Sequence, residues 1–309
     1  MRPLKIILYA GGWDVAPWRE ALARHVPSAT VLSWPTDARA DYAAVWAPPP
    51  AMFEGQRDLR AVFSLGAGVD HLAAATGALR GMSVVRIEDA GMADQMVEYV
   101  LLAALMKHRR WGTYAAQQSA RRWQRHDARP RADLVAGVMG LGVLGGAVGR
   151  ALADFGYTVR GWSRRARAVD GVRTFAGEGE LAEFLAPCEL LVDMLPLTPA
   201  TESLLDRRVL SMLPRGAALV NVARGKHLVE EDLVALLDEG HLEGATLDVF
   251  RHEPLADESP LWRHPRVTVT PHVAAISVPE RCVAQVAEKI ARFEAGLAVT
   301  GLVDLDAMY

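Results

Sequence analysis

The stretch from Ala132 to Arg165 constrains this chain more than any other. A short apolar run at 134–139 passes directly into Gly140-Leu141-Gly142-Val143-Leu144-Gly145. An alanine-rich segment at helical spacing follows at 147–155, then Gly156, then a second β-rich run at 157–162. The order is strand, glycine turn, helix, strand.

A dinucleotide pyrophosphate needs a donor surface with no side chains in the way, and this order supplies one. Gly140 takes the tight turn, Gly142 lets backbone approach a phosphate, and Gly145 lets the helix pack against its strand. The helix N-terminus then offers free N–H groups and its partial positive charge. A glycine-rich turn without any ligand is the plain alternative. Strand and helix stand where the fingerprint requires them, which favours a dinucleotide site over Gly140, Leu141, Gly142, Val143, Leu144 and Gly145.

The end of the second strand selects the dinucleotide. An NAD site places Asp or Glu about 20 residues past the first glycines, to accept from the ribose 2′-OH. Here the chain reads Trp162-Ser163-Arg164-Arg165-Ala166-Arg167, so no carboxylate repels a 2′-phosphate and a hydroxyl and guanidinium groups can bind it. A solvated arginine loop would look the same in a chain where only Lys5, Lys107, Lys226 and Lys289 of 34 basic residues are Lys. The missing acid decides for NADP, used as NADPH, with NAD as the alternative.

With 309 residues the chain suits two α/β domains or one large one, and a net charge of -3 with no long basic run excludes a nucleic-acid or membrane-surface partner. Cys188 and Cys282 lack metal or redox spacing and read as reduced thiols, which fits the cytoplasm, and no metal site is expected. The N-terminal apolar run stops at a glycine pair, too short for a signal peptide, and reads as the first strand, 5–10. Further strands are expected at 30–33, 42–46, 61–65, 83–87, 189–194, 217–222, 244–249 and 266–270. Helices are expected at 17–25, after Pro48-Pro49-Pro50, from about 71, at 90–119 as an interdomain connector, and at 179–186, 201–212, 229–238 and 279–295. This alternation implies an α/β fold of doubly wound parallel sheets, whose ligands sit at the C-terminal ends of the strands. Gly66-Ala67-Gly68 lies at such an end and is either a carboxylate cradle or a plain tight turn.

Three polar residues follow successive strands beside the expected cofactor edge: Arg224 after ALVNVA, Glu253 after TLDVFRH and His272 after VTVTP. Reducing a ketone by hydride needs a positive group at the carbonyl, an acid for the new alkoxide and a partner that keeps the acid charged. Each residue alone has a bland account as a turn, loop or surface group; together at strand ends they supply all three parts. His227, His241, His252 and His264 lack such placement and read as surface residues.

NVARG, LDVFRHEPL and TPHVAA, with GLGVLG upstream and VWAPP, LGAGVDH, DAGM, SRR, LPLTPAT and ESPLW in order, carry a resemblance over nearly the whole chain. The chain resembles the D-isomer-specific 2-hydroxyacid dehydrogenases, and within them the bacterial glyoxylate/hydroxypyruvate reductase A group. The resemblance implies a Rossmann cofactor domain, 99–275, inserted into a flavodoxin-like substrate domain, 1–98, that 276–309 completes. It implies that Arg224 binds the carboxylate and carbonyl of a small 2-oxo acid such as glyoxylate or hydroxypyruvate, His272 donates the proton, and Glu253 is its partner. Ser163, Arg164, Arg165, Leu195, Pro196, Thr201, Val222 and Ala223 are expected to line the cofactor, and Asp248 to contact its carboxamide. Trp46, Ala67, Gly68 and Val69 are expected on the substrate side. A homodimer through the cofactor domain follows from the same likeness, with Trp123 reaching toward a partner's site. One departure is Ala274, where many members have Gly; its methyl is expected to face nicotinamide or substrate. A different class on the same fold, a dinucleotide-sensing regulator of the corepressor kind, is disfavoured by the complete Arg, Glu and His set.

Overall fold

The computed structural model describes residues 3–306; the ends of the expected domain ranges, 1–2 and 307–309, lie outside the described residues. The chain forms two compact units, one of residues up to Gly91 with those from Ser277 onward, the other Met92–Ile276.

The first unit runs β1 (Lys5–Ala10), α1 (Ala16–His25), β2 (Thr30–Ser33), β3 (Tyr42–Trp46), β4 (Ala61–Ser64), α2 (Thr76–Leu79) and β5 (Ser83–Val85). Its five-stranded sheet has the order β2-β1-β3-β4-β5, and every pairing is parallel. The continuous apolar runs in β3 and β4 suit strands covered on both faces, and β4 is buried along its whole length.

The second unit runs α3 (Met92–His108), α4 (Trp111–Ser119), β6 (Val135–Met139), α5 (Val143–Asp154), β7 (Thr158–Ser163) and β8 (Val172–Ala176). It continues through α6 (Leu181–Leu185), β9 (Leu190–Asp193), α7 (Arg207–Leu210), β10 (Ala217–Asn221), α8 (Glu230–Asp238), β11 (Leu242–Leu247) and β12 (Val267–Val269). The chain then returns to the first unit as α9 (Pro279–Glu294), which packs on α1. The seven strands stand in the order β12-β11-β10-β9-β6-β7-β8, all parallel. Winding reverses between β6 and β9, the place where a doubly wound sheet opens a crevice at its carboxyl edge.

Period-two alternation explains how one sheet serves two cores. Ala136 and Val138 of β6, Leu190 and Val192 of β9, and Ala218 and Val220 of β10 share a cluster with Val100 of α3 and Val148 and Leu152 of α5. Met139, Leu191 and Leu219 turn the other way, into a leucine-rich cluster with Phe184 of α6 and Leu233, Leu236 and Leu237 of α8.

Three expectations about elements need correction. The helix expected over 90–119 is two, because Arg110 adopts a left-handed backbone with φ of 53° between α3 and α4. The helix expected over 201–212 shrinks to α7, capped by the Asp206 carboxylate accepting from Val209 N–H. Upstream of it Thr201 donates its hydroxyl to the Pro196 carbonyl and accepts from Thr198 N–H, so local side-chain bonds displace the helix. The edge strand β8 was not anticipated; it is short, and its buried Phe175 is flanked by half-buried Thr174 and Ala176.

Ahead of β6 and β9 respectively, Arg129 grips Glu189 with two parallel bonds of 2.6 Å. This pairing is the main cause that holds the Glu189 carboxyl below its ordinary range, against the opposing effect of burial. A depressed carboxyl stabilises above the unfolded pKa and loses that contribution as pH falls through the folded one. Glu189→Gln is therefore expected to cost about 1 kcal/mol at pH 7. In calorimetry its Tm deficit should shrink below about pH 4, the ordinary carboxyl range.

Candidate active site

The glycine turn stands at the carboxyl end of β6. Gly140 has φ of 98°, open to glycine and strained for other residues, and its N–H donates to the Trp162 carbonyl at 2.8 Å. Gly142 is the N-cap residue of α5, without a side-chain cap, and a Cβ added there would meet nothing within 4 Å. At Gly145 a Cβ would fall 1.8 Å from the Gly140 carbonyl oxygen. That residue must be small because the helix presses on its own turn, a tighter reason than packing on the strand. Leu141 points its side chain down onto Gly161 of β7, where an added Cβ would come within 2.8 Å of it. Val143 is exposed and Leu144 half-buried, so the turn offers unencumbered amides at a 12-residue helix's positive end.

At the end of β7 the Ser163 hydroxyl is buried and donates to the Arg165 carbonyl at 2.7 Å. It shapes the loop that presents the exposed Arg164 and Arg165. Two further guanidinium groups, Arg150 on α5 and Arg167, flank a cavity of about 460 Å³ beside Gly142, Val143 and Gly146. Arg167 belongs to the arginine run read from the sequence, whereas Arg150 was missed; its signal was the helical spacing of Val143, Gly146 and Arg150 along one face.

Three adjacent strands end in, or are followed at once by, a buried polar side chain, and each clamps a loop. Asp193, 0% exposed, accepts from Leu195 N–H at 3.1 Å. Asn221, also 0% exposed, accepts from Ala223 N–H and donates to the Arg224 carbonyl, each at 3.1 Å. Asp248, 1% exposed, accepts from Thr270 Oγ1 at 2.6 Å and from the N–H groups of Val273 and Ala274 at 2.8 Å.

These clamps position the Arg, Glu and His of the sequence reading. Arg224 follows β10 in extended conformation, half-buried, with Nη1 donating to the Ala223 carbonyl. The next residue, Gly225, lies so close to Phe250 that an added Cβ would be 1.8 Å from its carbonyl carbon. The loop after β11 carries Glu253, whose Oε1 accepts from Phe250 N–H at 3.1 Å and whose Oε2 lies 2.8 Å from His272 Nδ1. His272 has φ of 55°, a left-handed backbone held by its N–H donating to the Asp248 carbonyl at 2.8 Å. Burial pushes the Glu253 carboxyl up, but the His272 hydrogen bond, the Phe250 N–H and the charges of His272 and Arg224 outweigh it and hold the carboxyl low. An ionised Glu253 can only accept, so Nδ1 of His272 carries the proton on that side and Nε2 is the ring's other face.

Other expected positions divide. Val222 and Ala223 are buried at the root of the Arg224 loop, and Leu195 and Pro196 follow the Asp193 clamp. Ala274 is 2% exposed, and its side chain belongs to the apolar cluster with Val138 and Val222 rather than to an open pocket wall. His227 is not a surface residue: it is 0% exposed, folded under the Arg224 loop with Nδ1 2.7 Å from Asp193 Oδ2. The overlooked signal was an Asp ending the otherwise apolar strand Leu190-Leu191-Val192-Asp193, since a carboxylate there needs a buried donor. His241 and His264 are half-buried, while His252 is exposed as expected. Among the described residues no group of three or more His, Cys, Asp or Glu could hold a metal ion.

In the first unit Trp46 stacks on Trp13 with centroids 4.4 Å apart and contacts the His71 ring at 4.0 Å. Its ring also lies over Gly66, where an added Cβ would approach it to 2.5 Å. Ala67 and Gly68 are half-exposed and Val69 is buried. Ser64 donates to the Gly66 carbonyl at 2.8 Å and lies 2.9 Å from His71 Nε2, which fixes this turn from beneath.

A doubly wound parallel sheet, a bare glycine turn at its switch point and an Arg with a Glu–His pair at neighbouring strand ends define an α/β oxidoreductase that uses a nicotinamide dinucleotide. Residues 101–274 match the family model described as D-isomer specific 2-hydroxyacid dehydrogenase, NAD binding domain. A D-isomer specific 2-hydroxyacid dehydrogenase from Xanthobacter autotrophicus Py2, solved in complex with NADPH and MES, is 40% identical. It covers 99% of this chain and 100% of its own, with a TM-score of 0.94. An NADPH-dependent glyoxylate/hydroxypyruvate reductase from Sinorhizobium meliloti, solved with NADP and sulfate, is 36% identical over 99% of this chain and 100% of its own, with a TM-score of 0.93. A probable 2-hydroxyacid dehydrogenase from Rhizobium etli CFN 42, solved with NADP, HEPES and L(+)-tartaric acid, is 34% identical over 99% and 100%, with a TM-score of 0.92. The chain belongs to the D-isomer specific 2-hydroxyacid dehydrogenase family.

The two glycines of the turn make separable demands. Gly142→Ala is expected to keep the wild-type Tm, because its methyl enters open space, yet to weaken NADPH binding by at least about tenfold, ~1.4 kcal/mol. Gly145→Ala should lower both, since the helix must move off the Gly140 carbonyl. Fluorescence titration with NADPH beside thermal unfolding checks the pair.

Proposed function

We propose that this chain is an NADPH-dependent reductase of small 2-oxo acids, glyoxylate and hydroxypyruvate among them, yielding the corresponding 2-hydroxy acids. The observation that carries the reading is the 2.8 Å pair of His272 and Glu253 on the strand edge that also carries Arg224. The dinucleotide fits the residues present: the turn at Gly140 and Gly145 has no room for side chains, and no carboxylate follows β7 before Asp170. Gly140 to Gly145 would hold the pyrophosphate and Arg164 and Arg165 the 2′-phosphate, on the loop that Ser163 shapes. Leu195, Pro196, Thr201, Val222 and Ala223 would line the nicotinamide side, and Asp248 would offer the carboxamide its remaining acceptor capacity.

When bound, NADPH supplies the hydride that reduces the carbonyl carbon. Arg224 pairs its planar fork with the substrate carboxylate and stabilises negative charge growing on the carbonyl oxygen. His272 delivers a proton from Nε2 to that oxygen, and Glu253, accepting from Nδ1 at 2.8 Å, orients the ring for it. The backbone of Ala67, Gly68 and Val69, with Trp46 as an apolar wall, is assigned to the rest of the substrate.

The exposed aromatic residues of the α4 region, Trp111 at 63% and Trp123 at 99%, support a homodimer. Among the described residues no helix is long and apolar enough to cross a membrane. A cytoplasmic setting is supported by two free, buried cysteines, whose thiols burial pushes up to about 12 at Cys188 and about 11 at Cys282.

Steady-state kinetics over a panel of 2-oxo acids with NADPH and NADH test this reading. NADPH should give the higher kcat/KM, and Arg164→Ala with Arg165→Ala should erode that preference; a chain that binds NADPH but turns over no 2-oxo acid would be a sensor instead. His272→Asn should lose most turnover while still binding NADPH. The sign of the pH effect follows from Glu253: its carboxyl is held low, so it stays ionised through the ordinary carboxyl range and activity that needs the ionised group is lost only as pH falls through its lowered pKa. Glu253→Gln should remove that acid-side loss from the kcat/KM profile and lower turnover at neutral pH, and an unmoved profile would refute the pairing.

A further inference from the structure

The most deeply buried ionisable pair in the second unit belongs to no step above. Asp193 and His227 are both 0% exposed, with His227 Nδ1 2.7 Å from Asp193 Oδ2. Each also holds a loop assigned to a ligand. The other Asp193 oxygen accepts from Leu195 N–H at 3.1 Å, which sets the turn of Leu195 and Pro196. His227 donates its backbone N–H at 3.2 Å to the Arg224 carbonyl, the same oxygen that takes the Asn221 amide. Its own carbonyl accepts from Leu205 N–H at 2.9 Å, and Lys226 accepts from Ser203 N–H at 2.8 Å. The ring is thus fixed by its backbone on one side and joined to β9 on the other.

An apolar side chain would fill this place at lower cost. The neighbouring cluster is made of leucines, Leu195, Leu205 and Leu228 among them, and His227 Nε2 is buried with no partner among the described residues. A polar pair kept in such surroundings, with one ring nitrogen unsatisfied, gives alignment rather than stability. Backbone bonds at Ser203 and Leu205, and Arg251 Nη1 donating to both Ser203 Oγ and the Leu228 carbonyl, join the far parts of the two loops. Near their roots, where Leu195 and Arg224 stand, the Asp193–His227 bond is the direct side-chain link among the described residues, and without it Leu195 and Arg224 keep only their separate clamps on Asp193 and Asn221.

We propose that Asp193 and His227 are positioning residues which lock the arginine loop to the cofactor-side turn, fixing where Arg224 meets the substrate carboxylate. This rests on the reading of Arg224 as the carboxylate clamp. The bond needs a donor at the place of Nδ1, which the Asn amide reaches and the Gln amide, one carbon longer, does not.

The experiment compares His227→Asn, His227→Gln and His227→Leu, alone and with Arg224→Lys, by glyoxylate kinetics, NADPH titration and Tm. His227→Leu should fold with a Tm near wild type and bind NADPH within about twofold of it. Its KM for glyoxylate should rise at least about tenfold, with a smaller change in kcat. His227→Asn should recover most of that loss and His227→Gln should not, a contrast that stands even if the leucine variant does not fold. Combined with Arg224→Lys, the leucine or glutamine change should add little, because both act at one group. A folded His227→Leu or His227→Gln enzyme with wild-type KM, or losses that simply add to those of Arg224→Lys, overturns the positioning role. An Arg224→Lys enzyme with normal KM overturns the clamp reading instead, and is told apart because the His227 variants are then read against an intact substrate affinity.

Discussion

Everything at the active edge depends on how buried backbone N–H donors are satisfied where parallel strands stop. A strand that ends inside a doubly wound sheet leaves its next residues without ladder partners, and buried backbone groups must find others. Asp193, Asn221 and Asp248 provide them from adjacent strands, each folding back onto the loop it launches. The loops carrying Leu195, Arg224 and His272 are therefore held by side chains belonging to the sheet itself. The most demanding case is His272, whose left-handed backbone is held because Asp248 uses both its carbonyl and its carboxylate on the same turn.

Close backbone approach is the second constraint. Gly145 against Gly140 and Gly225 against Phe250 are contacts that even a methyl group would break, and each lies beside a functional loop. One sets bare amides at the positive end of α5; the other brings the loop that carries Arg224 against the loop that carries Glu253. Dispersion gains from such contacts are small, so their value is geometric.

Much of this was legible in the sequence because it is written in local patterns. The glycine turn between an apolar run and an alanine-rich helix, and the Arg, Glu and His after three β-rich runs, each needed only order and spacing. What escaped was non-local or set by single residues. The break at Arg110 turns on one left-handed residue that no apolar period reveals. The burial of His227 depends on Asp193, 34 positions earlier, and spacing from Arg224 alone cannot show which way the ring folds. The helix expected over 201–212 lost most of its length to Thr198 and Thr201 side chains bonding locally, a competition that propensity does not record.

The division into two units has a consequence for how such a chain tolerates change. The dinucleotide turn, Arg224, Glu253 and His272 all lie within Met92–Ile276, on one sheet, whereas Trp46 and the Ala67–Val69 turn belong to the other unit with its own core. A substitution around Trp13, Trp46 or Gly66 is therefore absorbed by the packing of the first unit, while the 2.8 Å spacing of His272 and Glu253 belongs to the second. The two pieces can drift at different rates along the same chain.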